Sequence, residues 1–170
     1  MEENNGGNVK VKEKILSYIE KNSRIDLHEL AVLAGEDEAA VLNCLEEMEA
    51  DNIICGYHTL INWEKVGVEK ITALIEVRVT PQRGMGFDKV AEHIYHYPEV
   101  NALYLISGGF DFMVIIEGKT LREVSEFVSA KLSPLESILS TKTNFILKKY
   151  KDHGTVMQAG HKDERALILP

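Results

Sequence analysis

At Lys70 the apolar period of the chain changes, and that change decides most of what the chain can become. From Val11 to Met48 apolar residues recur every three or four positions, the spacing of helices that bury one stripe. From Ile71 onward they alternate with polar residues, the spacing of strands with one buried face. A helical block followed by a strand-rich block predicts an α+β chain of two small domains, which 170 residues accommodate.

In the helical block, Val11, Ile15, Leu16 and Ile19 place a first helix over 10–21. Asp26 with Glu29 three residues later is a capping-box pattern, and Leu27, Leu30, Ala31 and Ala34 stripe the second helix up to Gly35. Asp37 caps a third, with Ala40, Val41, Cys44, Leu45 and Met48 facing inward. Two short helices joined by a glycine-containing turn form a helix-turn-helix, and the β-rich run 53–61 suits a wing. Residues 62–69 form a polar connector. The expected division is 1–61, a linker 62–69, a second domain 70–151 and a tail 152–170 that reads as mobile or as an arm.

The second block reads strand, helix, strand, strand, helix, strand. Ile71 to Val79 is the first strand, broken at Pro81 and Gly84. Phe87, Val90, Ala91, Ile94 and Tyr95 form a helix, followed by strands over 100–106 and 112–117. Thr120 caps a helix with Leu121, Val124, Phe127, Val128 and Leu132, and 137–149 is a long last strand. The order βαββαβ predicts a ferredoxin-like sheet with helices on one face. The other face carries too many apolar residues to stay wet, so two copies are expected to pack sheet to sheet as a homodimer.

Charge cuts across this layout. Residues 36–51, which include the helix that should enter DNA, hold no Lys or Arg. Up to Asn62 the bases are Lys10, Lys12, Lys14, Lys21 and Arg24, outnumbered by acids, and the net −8 of the chain lies in this third. Phosphate contacts supply much of the affinity of any DNA-binding surface, so general attraction to nucleic acid is not expected from this field. Asn43 can pair with an adenine edge, though the same residue also reads as a solvated helix position.

Other chemistry is sparse. Cys44 and Cys55 lack metal-ligand spacing and read as reduced thiols of a cytoplasmic protein, with a disulfide as the lesser alternative. His93 and His96 sit i, i+3 without a third ligand, which reads as a polar helix face. No nucleophile–base pair or phosphate loop appears, and no catalytic role, metal or cofactor is expected. No run is apolar enough to span a bilayer, and the acidic N-terminus does not read as a secretion signal. In the turn 107–111, Gly108 and Gly109 expose amides and allow positive φ, Asp111 supplies charge and Ser107 a hydroxyl. The same glycines also make a good hairpin turn that Asp111 ties down.

Several strings in order carry a family likeness. They are Lys14-Ile15-Leu16, then Arg24-Ile25 with Leu27 and Glu29-Leu30-Ala31, then Ile53-Ile54-Cys55-Gly56-Tyr57. The last is Ser107-Gly108-Gly109-Phe110-Asp111-Phe112. Over 10–151 the chain resembles the leucine-responsive/asparagine (Lrp/AsnC, feast/famine) regulators. That resemblance implies a transcription regulator with a winged helix-turn-helix and a ferredoxin-like effector (RAM) domain. It implies dimers through the C-terminal sheet, assembly to an octamer or other ring, and a small-molecule effector, usually an amino acid, near Ser107, Gly108, Gly109, Phe110, Asp111, Thr141 and Thr143. The DNA-facing positions it nominates are Arg24, Asp37, Ala40, Asn43 and His58. The reading helix departs from the family, whose members carry two or more Arg or Lys there. The alternative is a ligand-binding and assembly module whose acidic helix-turn-helix does not itself read DNA. A third reading, from the siroheme decarboxylases that resemble this architecture, lacks an Arg/His cluster for tetrapyrrole carboxylates.

Overall fold

The computed structural model describes residues 3–80 and 86–157. The chain separates into two compact units, Met1–Leu60 and Ile61–Pro170. The expected break at Pro81 and Gly84 and the tail beyond Met157 lie outside the described residues.

The first unit is three helices: α1 (Glu3–Ile19), α2 (Leu27–Ala34) and α3 (Glu38–Ala50). α1 starts earlier than its apolar spacing predicted, because residues 3–8 carry no stripe that periodicity could register. Local chemistry sets the next two boundaries. The Asp26 carboxylate accepts the Glu29 N–H at 2.9 Å, and Gly35, left-handed at φ 80°, returns its N–H to Ala31 O. The Asp37 carboxylate then accepts the Ala40 N–H at 2.8 Å and starts α3. Ile15, Leu30, Ala31, Ala34, Val41 and Met48 close a small core. The run 53–61 forms no strand, contrary to the expected wing. A strand needs a ladder partner, and this unit contains no second β-run to supply one.

The second unit opens with a short helix, α4 (Trp63–Val66), inside the stretch read as a connector. The Asn62 side chain caps it, and Gly67 ends it in the left-handed region. The four strands that follow, β1 (Ile71–Val79), β2 (Val100–Leu105), β3 (Phe112–Gly118) and β4 (Ile138–Phe145), form an antiparallel sheet in the order β2-β3-β1-β4. Two helical crossovers, α5 (Asp88–Tyr95) and α6 (Leu121–Phe127), complete the βαββαβ fold. α6 runs on into a single π-helical turn, Val128–Leu132, which buries Leu132.

Alternation assigns the faces. Ala73, Ile75, Val77 and Val79 of β1 and Phe112, Val114 and Ile116 of β3 are buried with Val90, Ile94, Val124, Phe127 and Leu132 from the helical layer. The opposite face carries Leu74, Met113 and Ile115, half-buried, beside Tyr104 and a polar strip of Glu76, Lys142 and Asn144. β4 ends at Phe145, short of the predicted 149. Beyond it Lys151–Asp152 and Thr155–Val156 pair as a two-stranded hairpin, β5 and β6, at the start of the segment read as a tail. The Asn62 side chain donates to Met157 O at 2.8 Å, tying this hairpin to the start of the unit. Among the described residues no helix is long and apolar enough to cross a membrane.

Candidate functional site

The turn between β2 and β3 is fastened to the end of β1. The Asp111 N–H donates to Val77 O at 3.0 Å, and its carbonyl accepts the Ile106 N–H at 2.8 Å. Its carboxylate Oδ2 accepts the Val79 N–H at 2.8 Å, which uses one of its two oxygens. Arg78 Nε donates to Gly109 O at 3.0 Å. Asp111 is therefore a structural tie whatever else it binds. Ser107, Gly108 and Gly109 stand exposed, and Phe110 is half-buried.

The positive φ that the two glycines allow is not used. Neither Gly108 nor Gly109 is among the positive-φ residues. A Cβ at Gly109 would meet nothing within 4 Å, and one at Gly108 would make only an ordinary contact of 3.6 Å with Ile106. Among the described residues nothing requires glycine at either position.

Thr141 and Thr143 lie in register with Val77 and Ile75, so they share the helix-covered face at the β4 edge and are half-buried there. Thr141 lies in the cross-strand row of Phe112 and Val77, about 10 Å across the sheet from Phe112. Thr143 lies one pleat further along. The fold thus sets turn and threonines at the same end of the sheet, as an open rim. Two cavities border α5, and neither is lined by Ser107, Asp111, Thr141 or Thr143. The larger, about 400 Å³, lies against the free edge of β2 among Phe87, Ala91, Tyr95, Leu103, Leu105 and Phe112.

In the helical unit, the Asp37 side chain is committed to capping α3. Ala40 and Asn43, three residues apart, are exposed on one side of that helix. Arg24 is exposed in its turn, where its N–H donates to the Asn22 side chain at 3.1 Å. His58 is exposed in the strandless run that follows α3. The acidity of 36–51 is partly answered from within. Besides Asp37 at the cap, Glu38 meets His28 Nδ1 at 2.8 Å, Glu47 meets Lys12 at 3.2 Å, and Glu49 accepts the Tyr57 hydroxyl at 2.7 Å. That hydrogen bond, helped by burial, holds the Tyr57 phenol above its ordinary range. Burial likewise pushes the Cys44 thiol up, and both cysteines are free. Lys12, one of the few cations of this unit, is thus paired with an acid of α3.

Each of His93 and His96 turns Nδ1 to the backbone carbonyl four residues earlier, and among the described residues no three His, Cys, Asp or Glu side chains converge on a metal position. Two features of the sheet were not read from sequence. One is the Glu76–Lys142–Asn144 group, whose members are far apart in the chain and meet only through the β1–β4 register. The other is the smaller cavity beside Lys89 and His93, whose one local signal was their i, i+4 spacing.

Comparison with known proteins matches this geometry. A model of the Lrp/AsnC ligand-binding domain matches residues 72–156. An uncharacterized HTH-type transcriptional regulator of Bacillus subtilis, YugG, is 46% identical over 158 residues, covering 92% of this chain and 95% of that protein. A proline dehydrogenase transcriptional activator of Rhodobacter capsulatus is 28% identical, covering 75% of this chain and 82% of its own. Among solved structures, a Neisseria meningitidis transcriptional regulator in complex with L-Met superposes with a TM-score of 0.67 at 22% identity, covering 86% of this chain and 94% of that one.

Proposed function

The chain belongs to the Lrp/AsnC family of HTH-type transcriptional regulators, and on that footing we propose that it binds operator DNA through α2 and α3 and senses a small metabolite, an amino acid, at the sheet unit. One observation carries the reading: a capped helix pair with its Gly35 turn precedes a sheet that matches the family's ligand-binding domain. The effector rim is built from Ser107, Gly108, Gly109, Phe110, Asp111, Thr141 and Thr143. Donors for a carboxylate come from the exposed turn amides and the hydroxyls, and the carboxylate of Asp111 faces the ammonium. The open rim in one chain is consistent with closure by a second copy, as is a glycine pair that nothing among the described residues requires.

The chain works as a homodimer through the sheet face bearing Leu74, Met113 and Ile115, and dimers assemble into an octamer or other ring in the cytoplasm. Arg24, Ala40, Asn43 and His58 face the DNA, with Asp37 holding the helix start. Because α3 brings no cation, each head binds weakly, and several heads on one particle supply the affinity. The effector acts without a further cofactor.

A gel shift with the protein's own promoter region, at low and physiological salt and with or without amino acids, tests this. A retarded complex that weakens with salt and changes with an amino acid is expected; no complex under any condition rejects DNA binding. The absence of Lys and Arg from 36–51 favours one rival, an assembly and ligand module whose head does not read DNA. Saturable operator binding that Asn43→Ala weakens would remove that rival.

A further inference from the structure

The strand ladder sorts the uncovered face of the sheet into two neighbouring rows. One row runs Tyr104, Met113, Glu76, Lys142, and the next runs Ala102, Ile115, Leu74, Asn144. Each strand gives one residue to each row, two positions apart. Both rows are apolar on β2 and β3 and polar on β4.

The charged ends of this face are committed within the chain. Glu117 meets Lys70 at 3.2 Å and Lys149 at 3.7 Å, and Arg78 Nε donates to Gly109 O at 3.0 Å. The polar corner on β4 keeps open valences. Lys142 Nζ donates one of its three protons to Glu76 Oε1 at 3.1 Å, and its side chain is 69% exposed. Asn144 Nδ2 donates to the same carboxylate oxygen at 3.0 Å and to Leu74 O at 3.5 Å. A carboxylate and a carbonyl only accept, which fixes the orientation of the amide and uses both of its protons. Asn144 Oδ1 is thus an acceptor with no donor among the described residues, two positions from an ammonium with protons to give.

A second copy of the chain supplies what each group lacks. A two-fold axis crossing the strands between the rows lays each row of one protomer over the other row of its partner. Tyr104 then meets Ala102, large against small, and Met113 meets Ile115. The stem of Glu76 lies on Leu74, and Lys142 stands over Asn144, donor to acceptor, twice by symmetry. Slipping the partner by one row along the strands lays each row on itself. That slip sets Lys142 against Lys142 and Glu76 against Glu76, like charge on like. We infer that this corner keys the sheet-face dimer proposed above, on which the inference rests. Lys142 of one protomer donates to the partner's Asn144, and the reciprocal pair fixes the register and favours a second copy of this chain over other sheets of the same fold.

The test follows subunit exchange of the full chain, isotope-labelled in one partner, in the dimer peak of native mass spectra. Wild type is mixed with the exchanged variant, Lys142→Asn with Asn144→Lys, which keeps donor facing acceptor within its own dimer. A mixed dimer sets two ammonium groups together at one corner and two amides at the other. Each chain is expected to pair with itself, with mixed dimers below about a tenth of the total where random exchange gives about half. Asn144→Lys alone, with ammonium facing ammonium at both corners, should weaken the dimer at least about tenfold, and the exchanged variant should return to within about threefold of wild type. Random exchange overturns the inference, as does an Asn144→Lys dimer as tight as wild type or an exchanged variant no tighter than Asn144→Lys alone. Ile115→Lys, a charge in the middle of the apolar rows, separates the two readings. If it breaks the dimer while wild type and exchanged variant mix freely, only the key is lost; if the dimer is indifferent to it, the sheet-face dimer is lost as well.

Discussion

The two units hold themselves together by different means. Among the described residues the helical head has six buried apolar ones, two of them alanine, and its boundaries are set by side chains that bond within three or four positions. Among the described residues the sheet unit has twelve, seven from β1 and β3 and five from the helices packed on them, and its strand boundaries follow ladder register. A small head with a thin core depends on caps and local pairs, whereas a sheet depends on packing. The charges divide the same way. The head carries the net negative charge on helix surfaces with few partners of opposite sign, and the sheet unit balances its charges in cross-strand pairs such as Lys70–Glu117 and Lys142–Glu76.

The largest expected effect tests the packing side. Ile75 is fully buried at the centre of β1, and Ile75→Ala should cost about 3 kcal/mol in urea unfolding, from lost transfer energy and the cavity left behind. A cost under about 1 kcal/mol would mean the sheet is not packed as described. Next comes the tie at the turn. Asp111→Ala leaves the Val79 N–H without its carboxylate and should cost about 1.5 kcal/mol, whereas Asp111→Asn should restore part of it. In the head, where local chemistry dominates, Asp37→Ala should cost about 1 kcal/mol through the lost cap, read as reduced helicity and a lower melting temperature.

A pH series sharpens the contrast in charge. The hydrogen bond from Lys142 holds the Glu76 carboxyl below its ordinary range, and the one from Lys131 does the same for Glu99. A depressed folded value means both glutamates stabilise the sheet unit above their unfolded range, and that contribution is lost as pH falls through the folded values. The urea midpoint of the sheet unit should therefore fall between about pH 5 and about pH 3, and Lys142→Met should flatten the fall. Smallest of all, Lys12→Met in the head should change stability by less than about 0.5 kcal/mol, since Glu47 is exposed and its pair is screened.

Much of this was legible before any coordinates. Asp26, Gly35 and Asp37 announce the helix boundaries because capping is a local bond between neighbours in sequence. The alternation through Ile71 to Val79 announces β1 because strand burial has period two. The wing was not legible, since 53–61 has strand composition and a strand requires a partner that composition does not reveal. Nor does composition tell whether Gly108 and Gly109 use the positive φ they allow, because glycine permits that region without requiring it.

By itself, then, the sequence determined what neighbouring residues carry: the caps, the two periods, the βαββαβ order and the acidity of α3. Only the tertiary structure decided which distant groups meet, namely Glu76 with Lys142 and Asn144, Asp111 with the end of β1, and Thr141 with the row of Phe112. The reason is physical. Local hydrogen bonds are fixed by chain connectivity, but register and cavity shape come from packing many side chains at once, and no short window of sequence contains that sum.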